Sequence, residues 1–487
     1  MIILKLDRFI LPVDCSLQCT LPKFNPFLAE RRLIAKKSWY INFSKESSNS
    51  DCDIVSSMRQ PPRWTEFFKY PVTSGTGLLA IGVTLAWWAK LDISPLMESP
   101  MVRRGEVWRL VTSIFPHLDV MHLIFNLYWL WVFGTLVEEI YGHFKTAGLF
   151  LLFAIGPNTL EYAFSTGGVG LSGVGYGLFG LLWILSRRDQ RFREAIDGRT
   201  IQLFVIWFFI CIVLTLSNVM SVGNIAHGTG AVLGILTAYA ITMPERRATV
   251  AASIGLIVAF GLWASTVARA KVNLSQYGAY EECKVGDEAM RAKHYDEALK
   301  WLEIASTYRS VPPGCLIDLG FTYEKLGKGD HALAAYTKSV TSGDGESEYY
   351  LAALYEKGSD RVPKDTKQAA EWYRKAADHM SPENENAELL NNVAWALATS
   401  SEPEVRNPPL ALEYALKAVA AEKGDPRPHI LDTLAEAYFV NNRYDEAVKT
   451  EQKALGSAAA ADKSGYMKSL EKYRLALAGS KQTASVK

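Results

Sequence analysis

One serine and one histidine in this sequence have the surroundings that hydrolytic chemistry requires. Ser172 begins a long apolar run, and His227 begins a later one. A serine hydroxyl becomes a nucleophile when a nearby base takes its proton, and a histidine inside a membrane is a candidate for that base. Tyr176 lies four residues after the serine and therefore shares its helical face. The pair predicts a nucleophile and a base without a carboxylate, with Tyr176 holding the imidazole by packing.

Small residues provide a way to bring the two apolar runs together. Gly173 and Gly177 form a small-xxx-small pair beside the serine, and Gly230 and Gly234 form another just after the histidine. Such pairs allow two membrane helices to approach each other closely. We therefore expect these two helices to pack backbone against backbone.

An earlier apolar run carries candidates for stabilising the charge that develops during acyl transfer. His122 and Asn126 are four residues apart and share a helical face, and the backbone N–H of Ser172 at a helix amino end is a third donor. His117 lies outside that face, so we expect it to be structural. No third ligand accompanies these histidines and HExxH is absent, so we expect neither a metal nor a cofactor.

Long apolar runs are the elements that would position these residues. Seven candidate spans approach the length that a bilayer requires: 72–89, 121–141, 145–163, 171–186, 200–217, 225–243 and 250–268. The loops after the fourth and sixth spans are rich in arginine, which places them and the amino terminus in the cytoplasm. The spans that carry His122, Ser172 and His227 then all start from the outer side, at one depth.

Taken together, these motifs resemble the rhomboid family of intramembrane serine proteases. Three patterns carry the resemblance: HxxxxHxxxN at His117, His122 and Asn126, GxSGxxYG at 170–177, and AHxxGxxxG at 226–234. The resemblance covers about residues 65–245 and implies a six-helix core with a Ser172–His227 dyad. It also implies that His122 and Asn126 stabilise the oxyanion and that Gly170 and Gly173 support the dyad. The expected substrates are single-span membrane proteins whose helix unwinds near the outer surface.

Other positions match the family outside these motifs. Trp108 and Arg109 resemble a conserved loop dipeptide, and we expect them to be structural anchors at the membrane interface. Glu138, followed by Gly142, resembles a structural acid of the second helix. The aromatic residues at 207–209 are expected to face lipid, with a substrate gate at this helix as the alternative.

After about residue 270 the sequence becomes charged, alanine-rich and periodic. Gly286 and Gly320 are 34 residues apart, and the pattern around them follows the tetratricopeptide repeat. The segment 349–377 resembles the related Sel1-like variant. Four to five repeats fit between 280 and 477, which predicts an α-solenoid that binds a peptide or protein partner. A spacer or an oligomerisation module is the alternative.

Composition limits the remaining possibilities. The net charge is +1, so nothing indicates a nucleic-acid partner. The six cysteines show no CxxC or zinc spacing. Cys283 and Cys315 fall at nearby first-helix positions of adjacent repeats, where an oxidising compartment would allow a disulfide, although the sequence leaves this open.

The predicted fold is all-α, a polytopic membrane helical bundle followed by an α-solenoid. Its parts are an N-terminal extension without order (1–64), the rhomboid-like core (65–245), a seventh transmembrane helix (246–270), the repeats (271–477) and a tail (478–487). Translation from Met58 is one explanation of residues 1–57, and a transit peptide is another.

The predicted function is that of a serine-type endopeptidase in the bilayer of a bacterial inner membrane, with the amino terminus cytoplasmic and the repeats outside. The repeats would recruit transmembrane protein substrates or a partner. The alternative is a non-catalytic membrane adaptor, a pseudoprotease that captures membrane proteins. The presence of both Ser172 and His227 favours the enzyme.

Overall fold

The structure is a computed structural model that describes residues 58–343, 345–379 and 386–485. The alternative start and the transit peptide concern residues 1–57, which lie outside this range. Of the extension 1–64, the structure describes residues 58–64, where the Arg59 N–H donates to the Glu194 carbonyl at 2.9 Å. Within the described residues the secondary structure is helical, apart from one isolated bridge between Ser359 and Val362. The chain is therefore all-α, as predicted.

The first part of the described chain is a bundle of seven long helices. They are α1 (Pro71–Trp88), α2 (Val120–Tyr141), α3 (His143–Phe164), α4 (Ser172–Arg188), α5 (Gly198–Leu216), α6 (Asn224–Thr242) and α7 (Arg247–Thr266). Each lies within a few residues of a predicted span. A π-helical segment, Leu130–Gly134, interrupts α2, and Gly142 joins α2 to α3 with a φ of 78° that favours glycine.

Length and apolarity separate these helices into two groups. Among the described residues, five helices are long and apolar enough to cross a membrane: α2, α3, α5, α6 and the segment Pro244–Thr266 that contains α7. The remaining helices, α1 and α4, have 18 and 17 residues. Most of the α4 side chains from Gly173 to Leu185 are buried against other helices. Protein, rather than lipid, therefore surrounds α4, and its length need not match the bilayer.

Short helical turns occupy the connections between the long helices. They are Trp64–Lys69, Ser94–Leu96, Pro100–Arg104, Arg109–Thr112, Gln190–Phe192, Pro244–Arg246, Arg269–Val272 and Val340–Ser342. Three of them, Ser94–Leu96, Pro100–Arg104 and Arg109–Thr112, lie between α1 and α2, and Arg269–Val272 lies in the linker that follows α7. These are the connections that meet at the end of the bundle where α4 and α6 begin.

The second part of the described chain is a solenoid of five consecutive helix pairs and a final long helix. The helices are α8 (Tyr280–Arg291), α9 (Tyr295–Ser306), α10 (Pro313–Lys325), α11 (Gly329–Ser339), α12 (Gly345–Lys357), α13 (Thr366–Asp378), α14 (Ala387–Thr399), α15 (Pro408–Ala421), α16 (Pro428–Val440), α17 (Tyr444–Ser457) and α18 (Lys463–Ser485). The number of pairs agrees with the predicted number of repeats.

Glycines allow the two helices of each of the first two pairs to pack closely. A Cβ on Gly286 would meet the Leu302 side chain, and one on Gly320 would meet the Tyr336 ring, so both glycines make room for the second helix of their pair. A disulfide joins Cys283 of α8 to Cys315 of α10, with 5.4 Å between the Cα atoms. The open possibility of this bridge is thus realised, and it links the first two repeats.

A buried carboxylate holds the opposite end of the bundle together. Glu138 accepts hydrogen bonds from the backbone N–H groups of Val72 and Thr73 at 2.9 and 2.8 Å, and from Thr73 Oγ1 at 2.7 Å. Its Oε1 also lies 2.7 Å from His143 Nδ1. Glu138 therefore caps the amino end of α1 and contacts the first residue of α3.

We expect Glu138→Ala to destabilise the bundle by about 3 kcal/mol, because several buried donors lose a charged acceptor at once. Glu139→Ala is the matched control, since the neighbouring carboxylate is 42% exposed and pairs with Arg59. Unfolding in detergent, followed as a function of denaturant, measures the difference. Equal midpoints for the two variants would contradict the structural role of Glu138.

Candidate active site

The helices that carry Ser172 and His227 pack through backbone contact. A Cβ on Gly230 would overlap the carbonyl oxygen of Gly173, and one on Gly234 would overlap that of Gly177. Gly177 in turn lies against the Phe153 ring of α3. Only glycine fits at positions 230 and 234 at this separation, because any side chain there would push α4 and α6 apart. The predicted approach of the two helices is present.

The close packing brings the histidine onto the tyrosine of α4. The His227 and Tyr176 rings are stacked, with centroids 4.5 Å apart and an interplanar angle of 23°. Tyr176 donates its hydroxyl hydrogen to the Phe204 carbonyl of α5 at 3.2 Å. Tyr176 is thus held by its hydroxyl hydrogen bond and by ring stacking, and its ring limits the orientation of the imidazole.

Ser172 lies one turn before Tyr176 at the first position of α4, and it is partly exposed. In the described residues no hydrogen bond joins Ser172 to His227, and His227 Nδ1 has no hydrogen-bond partner there. A catalytic hydrogen bond that is absent without substrate can form in the complex. The arrangement leaves the serine hydroxyl available and the imidazole without a carboxylate.

His117 holds the residue that precedes the serine. Its ring is fully buried, its Nδ1 lies 2.9 Å from the Phe115 carbonyl oxygen, and its Nε2 accepts the Leu171 N–H at 3.3 Å. Because a backbone N–H can only donate, Nε2 is unprotonated and the neutral ring carries its hydrogen on Nδ1. This geometry agrees with the structural role that we expect for His117.

Gly170 allows the chain to pass beside His122 before α4 begins. Its φ is 107°, and a Cβ there would lie 2.7 Å from His122 Cε1. The His117 and His122 rings are adjacent, with centroids 4.8 Å apart. His122 is therefore close to the backbone that leads into Ser172, as an oxyanion donor would have to be.

Asn126 has a different partner in this structure. Its side-chain amide donates to the carbonyl oxygen of His122, one turn earlier in α2, at 3.0 Å. The side chain is largely buried. The structure thus places Asn126 next to His122 on the predicted helical face, with its amide satisfied by its own helix.

Trp108 and Arg109 behave differently from each other. Trp108 is half exposed, as an interfacial residue would be. Arg109 is only 8% exposed, and its guanidinium donates to Glu106 at 2.6 Å and to the Met97 carbonyl at 3.0 Å, with a further contact to the Ser94 carbonyl. The expectation that Arg109 is a structural anchor at the membrane interface stays a prediction. In the structure its guanidinium satisfies carbonyls of the segment that precedes α2.

One residue that the sequence analysis missed is Glu161, near the end of α3. Its Oε2 accepts the Ala226 N–H at 2.9 Å, and its Oε1 accepts the Ser165 hydroxyl at 2.6 Å. Gly223, the N-cap of α6, offers no side chain, so Glu161 supplies the cap from another helix. An acid in an apolar span is itself a signal of function or structure, and this signal was available in the sequence.

The geometry can now be compared with known proteins. Family models described as Rhomboid domain and Sel1 repeat match residues 104–244, and 291–307, 345–379 and 387–423, respectively. The chain contains a rhomboid domain followed by Sel1 repeats. With its apolar helices, it is a multi-pass integral membrane protein.

The rhomboid domain has curated relatives. "Rhomboid protease GlpG" of Salmonella paratyphi A is 32% identical over 169 residues, which are 34% of this chain and 58% of the relative. The protein of the same description from Salmonella newport is 32% identical over 167 residues, again 34% of this chain and 58% of the relative. The chain thus spans 58% of the length of these relatives.

Solved repeat proteins are also similar to the chain. A thermophilic TPR protein from Thermus thermophilus has a TM-score of 0.29 and 26% identity, over 41% of this chain and 98% of its own. A Sel1 repeat protein from Oxalobacter formigenes has a TM-score of 0.28 and 21% identity, over 43% of this chain and 89% of its own. The assignment of the repeats rests on the family model and on the helix pairs.

We expect Gly234→Ala to weaken the contact between α4 and α6 by about 2 kcal/mol, because the added methyl group would overlap a backbone carbonyl that cannot move alone. Gly175→Ala is the matched control, since a Cβ at Gly175 meets nothing within 4 Å. Resistance to unfolding in detergent measures both. Equal stability of the two variants would show that the close approach of the helices is not required.

Proposed function

We propose that this protein is an intramembrane serine endopeptidase in which Ser172 and His227 form a catalytic dyad. The observation that carries the proposal is the His227 ring stacked on Tyr176, one turn from Ser172, on two helices in backbone contact. The relatives described as rhomboid proteases support it. In this proposal Tyr176 supports the dyad by stacking on the imidazole. Gly170 and Gly173 support it by leaving room for the close contacts around Ser172.

The chemistry requires two transfers of a proton through His227. The Ser172 oxygen attacks a substrate carbonyl carbon while an imidazole nitrogen takes the hydroxyl proton. The imidazolium then gives that proton to the departing amine, which breaks the peptide bond and leaves an acyl-enzyme. Water, deprotonated by the same imidazole, attacks the ester carbonyl carbon. The bond to the Ser172 oxygen breaks, the imidazolium returns its proton to that oxygen, and the acid product leaves. Stacking on Tyr176 keeps the ring in place throughout, where other hydrolases use a carboxylate.

The start of α4 offers donors for the negative charge on the carbonyl oxygen. Among the first residues of α4, the N–H groups of Ser172, Gly173 and Val174 precede the first helical hydrogen bond, which Gly175 makes to Leu171. They share the positive end of the helix dipole. His122 is adjacent through Gly170, and Asn126 would act after its amide exchanges the His122 carbonyl for the oxyanion.

We assign the substrates to single-span membrane proteins, cleaved near the outer face. The reacting groups lie at helix starts, so a substrate helix must unwind at that level to present a carbonyl. The repeats would recruit such a substrate or a partner protein, in keeping with the binding surfaces of solenoids.

Ser172→Ala and His227→Ala should each reduce cleavage of a model single-span substrate by at least about 10³-fold, because the proposed reaction requires both the nucleophile and the base. Ser186→Ala is the matched control, a serine of the same helix whose hydroxyl donates to the Trp183 carbonyl at 3.0 Å. The assay uses the purified full chain in liposomes. Cleavage that survives Ser172→Ala would refute the dyad, and absence of cleavage by the unmodified protein would favour the adaptor.

We also propose that the repeats and the active-site end face the outside of the cell. Arg188 lies over the Tyr239 ring and Arg191 over the Tyr141 ring, at the end of the bundle opposite Ser172, where the loop after α4 is rich in arginine. The Cys283–Cys315 disulfide supports an oxidising compartment for the repeats.

Thiol labelling tests this orientation. The variant replaces Cys15, Cys19, Cys52 and Cys211 by serine and carries Arg291→Cys on α8, where the native side chain is 77% exposed. A membrane-impermeant maleimide should label this variant in intact cells, because no membrane shields an exposed thiol on the outside. Labelling that requires lysis of the cells would place the repeats inside. The same protein without Arg291→Cys gives the background.

A further inference from the structure

The linker between α7 and the first repeat caps the end of α3. Arg269 Nε donates to the Tyr162 carbonyl at 2.9 Å, and Asn273 Nδ2 donates to the Ala163 and Ser165 carbonyls at 3.2 and 2.6 Å. The backbone N–H of Leu274 donates to the Phe164 carbonyl oxygen at 2.9 Å. The last carbonyls of a helix have no intrahelical partner, and here the linker supplies partners for those of Tyr162, Ala163 and Phe164.

Arg269 is also the centre of the contact with the first repeat. Its guanidinium lies 4.0 Å from the centre of the Tyr162 ring, and Nη1 donates to Glu282 at 3.1 Å and to the Tyr308 hydroxyl at 2.6 Å. Arg269 and Glu282 are 1% and 0% exposed. A buried ion pair with this many hydrogen bonds fixes the relative position of the groups that it joins.

Further contacts surround this buried pair. Arg104, before α2, donates to Glu297 of α9 at 2.6 Å and lies over the Trp301 ring at 4.8 Å. Glu281 accepts the Tyr162 hydroxyl hydrogen at 3.3 Å. Burial raises the pKa of the Glu281 carboxyl to about 7, and the nearby Arg269 charge opposes this rise. The first repeat is therefore joined to the rhomboid domain by packed, mostly buried polar contacts.

The capped end of α3 continues directly into the candidate active site. Ser165, whose carbonyl Asn273 holds, donates to Glu161, and Glu161 accepts the Ala226 N–H next to His227. After Ser165 the chain runs along Glu98, which accepts the Gly168 N–H at 3.0 Å, and reaches α4 through Leu171. The linker is thus a few hydrogen bonds from both helix starts.

We propose that Arg269 and Asn273 are positioning residues of the protease. They fasten the repeat domain to the end of α3 and, through Glu161 and the segment 165–171, hold the helix starts that carry Ser172 and His227. The inference rests on the proposed function and extends it, because it makes the first repeat part of the structure that supports the dyad.

The test compares Arg269→Gln and Asn273→Ala with Arg291→Gln in the full chain. Arg291 is the matched control, since it pairs with Asp287 on the exposed face of α8 and its side chain is 77% exposed. Asn273→Ala is needed because Arg269→Gln removes the cation 3.1 Å from the buried Glu282 and can destabilise the fold. Asn273→Ala removes the hydrogen bonds to the Ala163 and Ser165 carbonyls and keeps the ion pair.

Kinetic constants and hydrogen exchange provide independent measurements. We expect kcat for a single-span substrate to fall about tenfold in both variants with KM unchanged, because small displacements of reacting groups slow the chemical step more than binding. Amide exchange should rise in peptides covering 161–171 and 223–229, and the Arg291→Gln protein should match the unmodified one in both respects.

The outcomes separate this inference from the proposed function. A purely structural role would lower the fraction of folded protein while leaving kcat per folded molecule unchanged, and that result would overturn the inference. If the unmodified protein cleaves nothing, the proposed function fails, and exchange still decides the coupling. Unchanged exchange in 161–171 and 223–229 in Asn273→Ala would refute the positioning role in either case.

Discussion

The backbone contact between α4 and α6 is the constraint on which the rest of the structure depends. Gly173 and Gly177 face Gly230 and Gly234 at a distance that excludes any Cβ on the α6 glycines. In a bilayer the hydrophobic effect does not drive helices together, so dispersion between closely fitted surfaces must do so. That fit determines where His227 lies relative to Tyr176.

Polar groups at this end of the bundle are satisfied by elements that are distant in sequence. His117 binds the Leu171 N–H, Glu161 caps α6, and the linker after α7 caps α3. Unsatisfied backbone groups are costly at membrane depth, so each helix end in this region needs a partner from elsewhere. The same need is met at the other end of the bundle by Glu138, which caps α1. Both ends of the bundle are thus held by helix caps from distant parts of the sequence, and Ser172 and His227 lie at only one of these ends.

The sequence predicted the helices and the close approach of α4 to α6 because both leave local signals. Apolar runs have the length of a span, and Ser172, Tyr176 and the glycines share helical spacing. Asn126 and Arg109 show where such reasoning ends. Spacing places Asn126 beside His122 but does not show which carbonyl its amide will bond. Nor does the sequence show that Arg109 is buried while the neighbouring Trp108 is half exposed. Arg269 was missed for a related reason, since its partners Tyr162 and Glu282 are 107 and 13 residues away.

The buried position of Arg269 bears on what the repeats contribute. A flexible tether would raise the local concentration of a bound substrate and leave the dyad unaffected. A first repeat that supplies Glu282 and Tyr308 to a guanidinium bound to Tyr162 is instead continuous with the packing of the rhomboid domain. Packed interfaces have discrete arrangements rather than a continuum, so a load placed on the repeats is transmitted to the end of α3 or breaks the junction. The Cys283–Cys315 bridge extends that stiffness into the second repeat, so the first two repeats are mechanically coupled to the end of the bundle that carries Ser172 and His227.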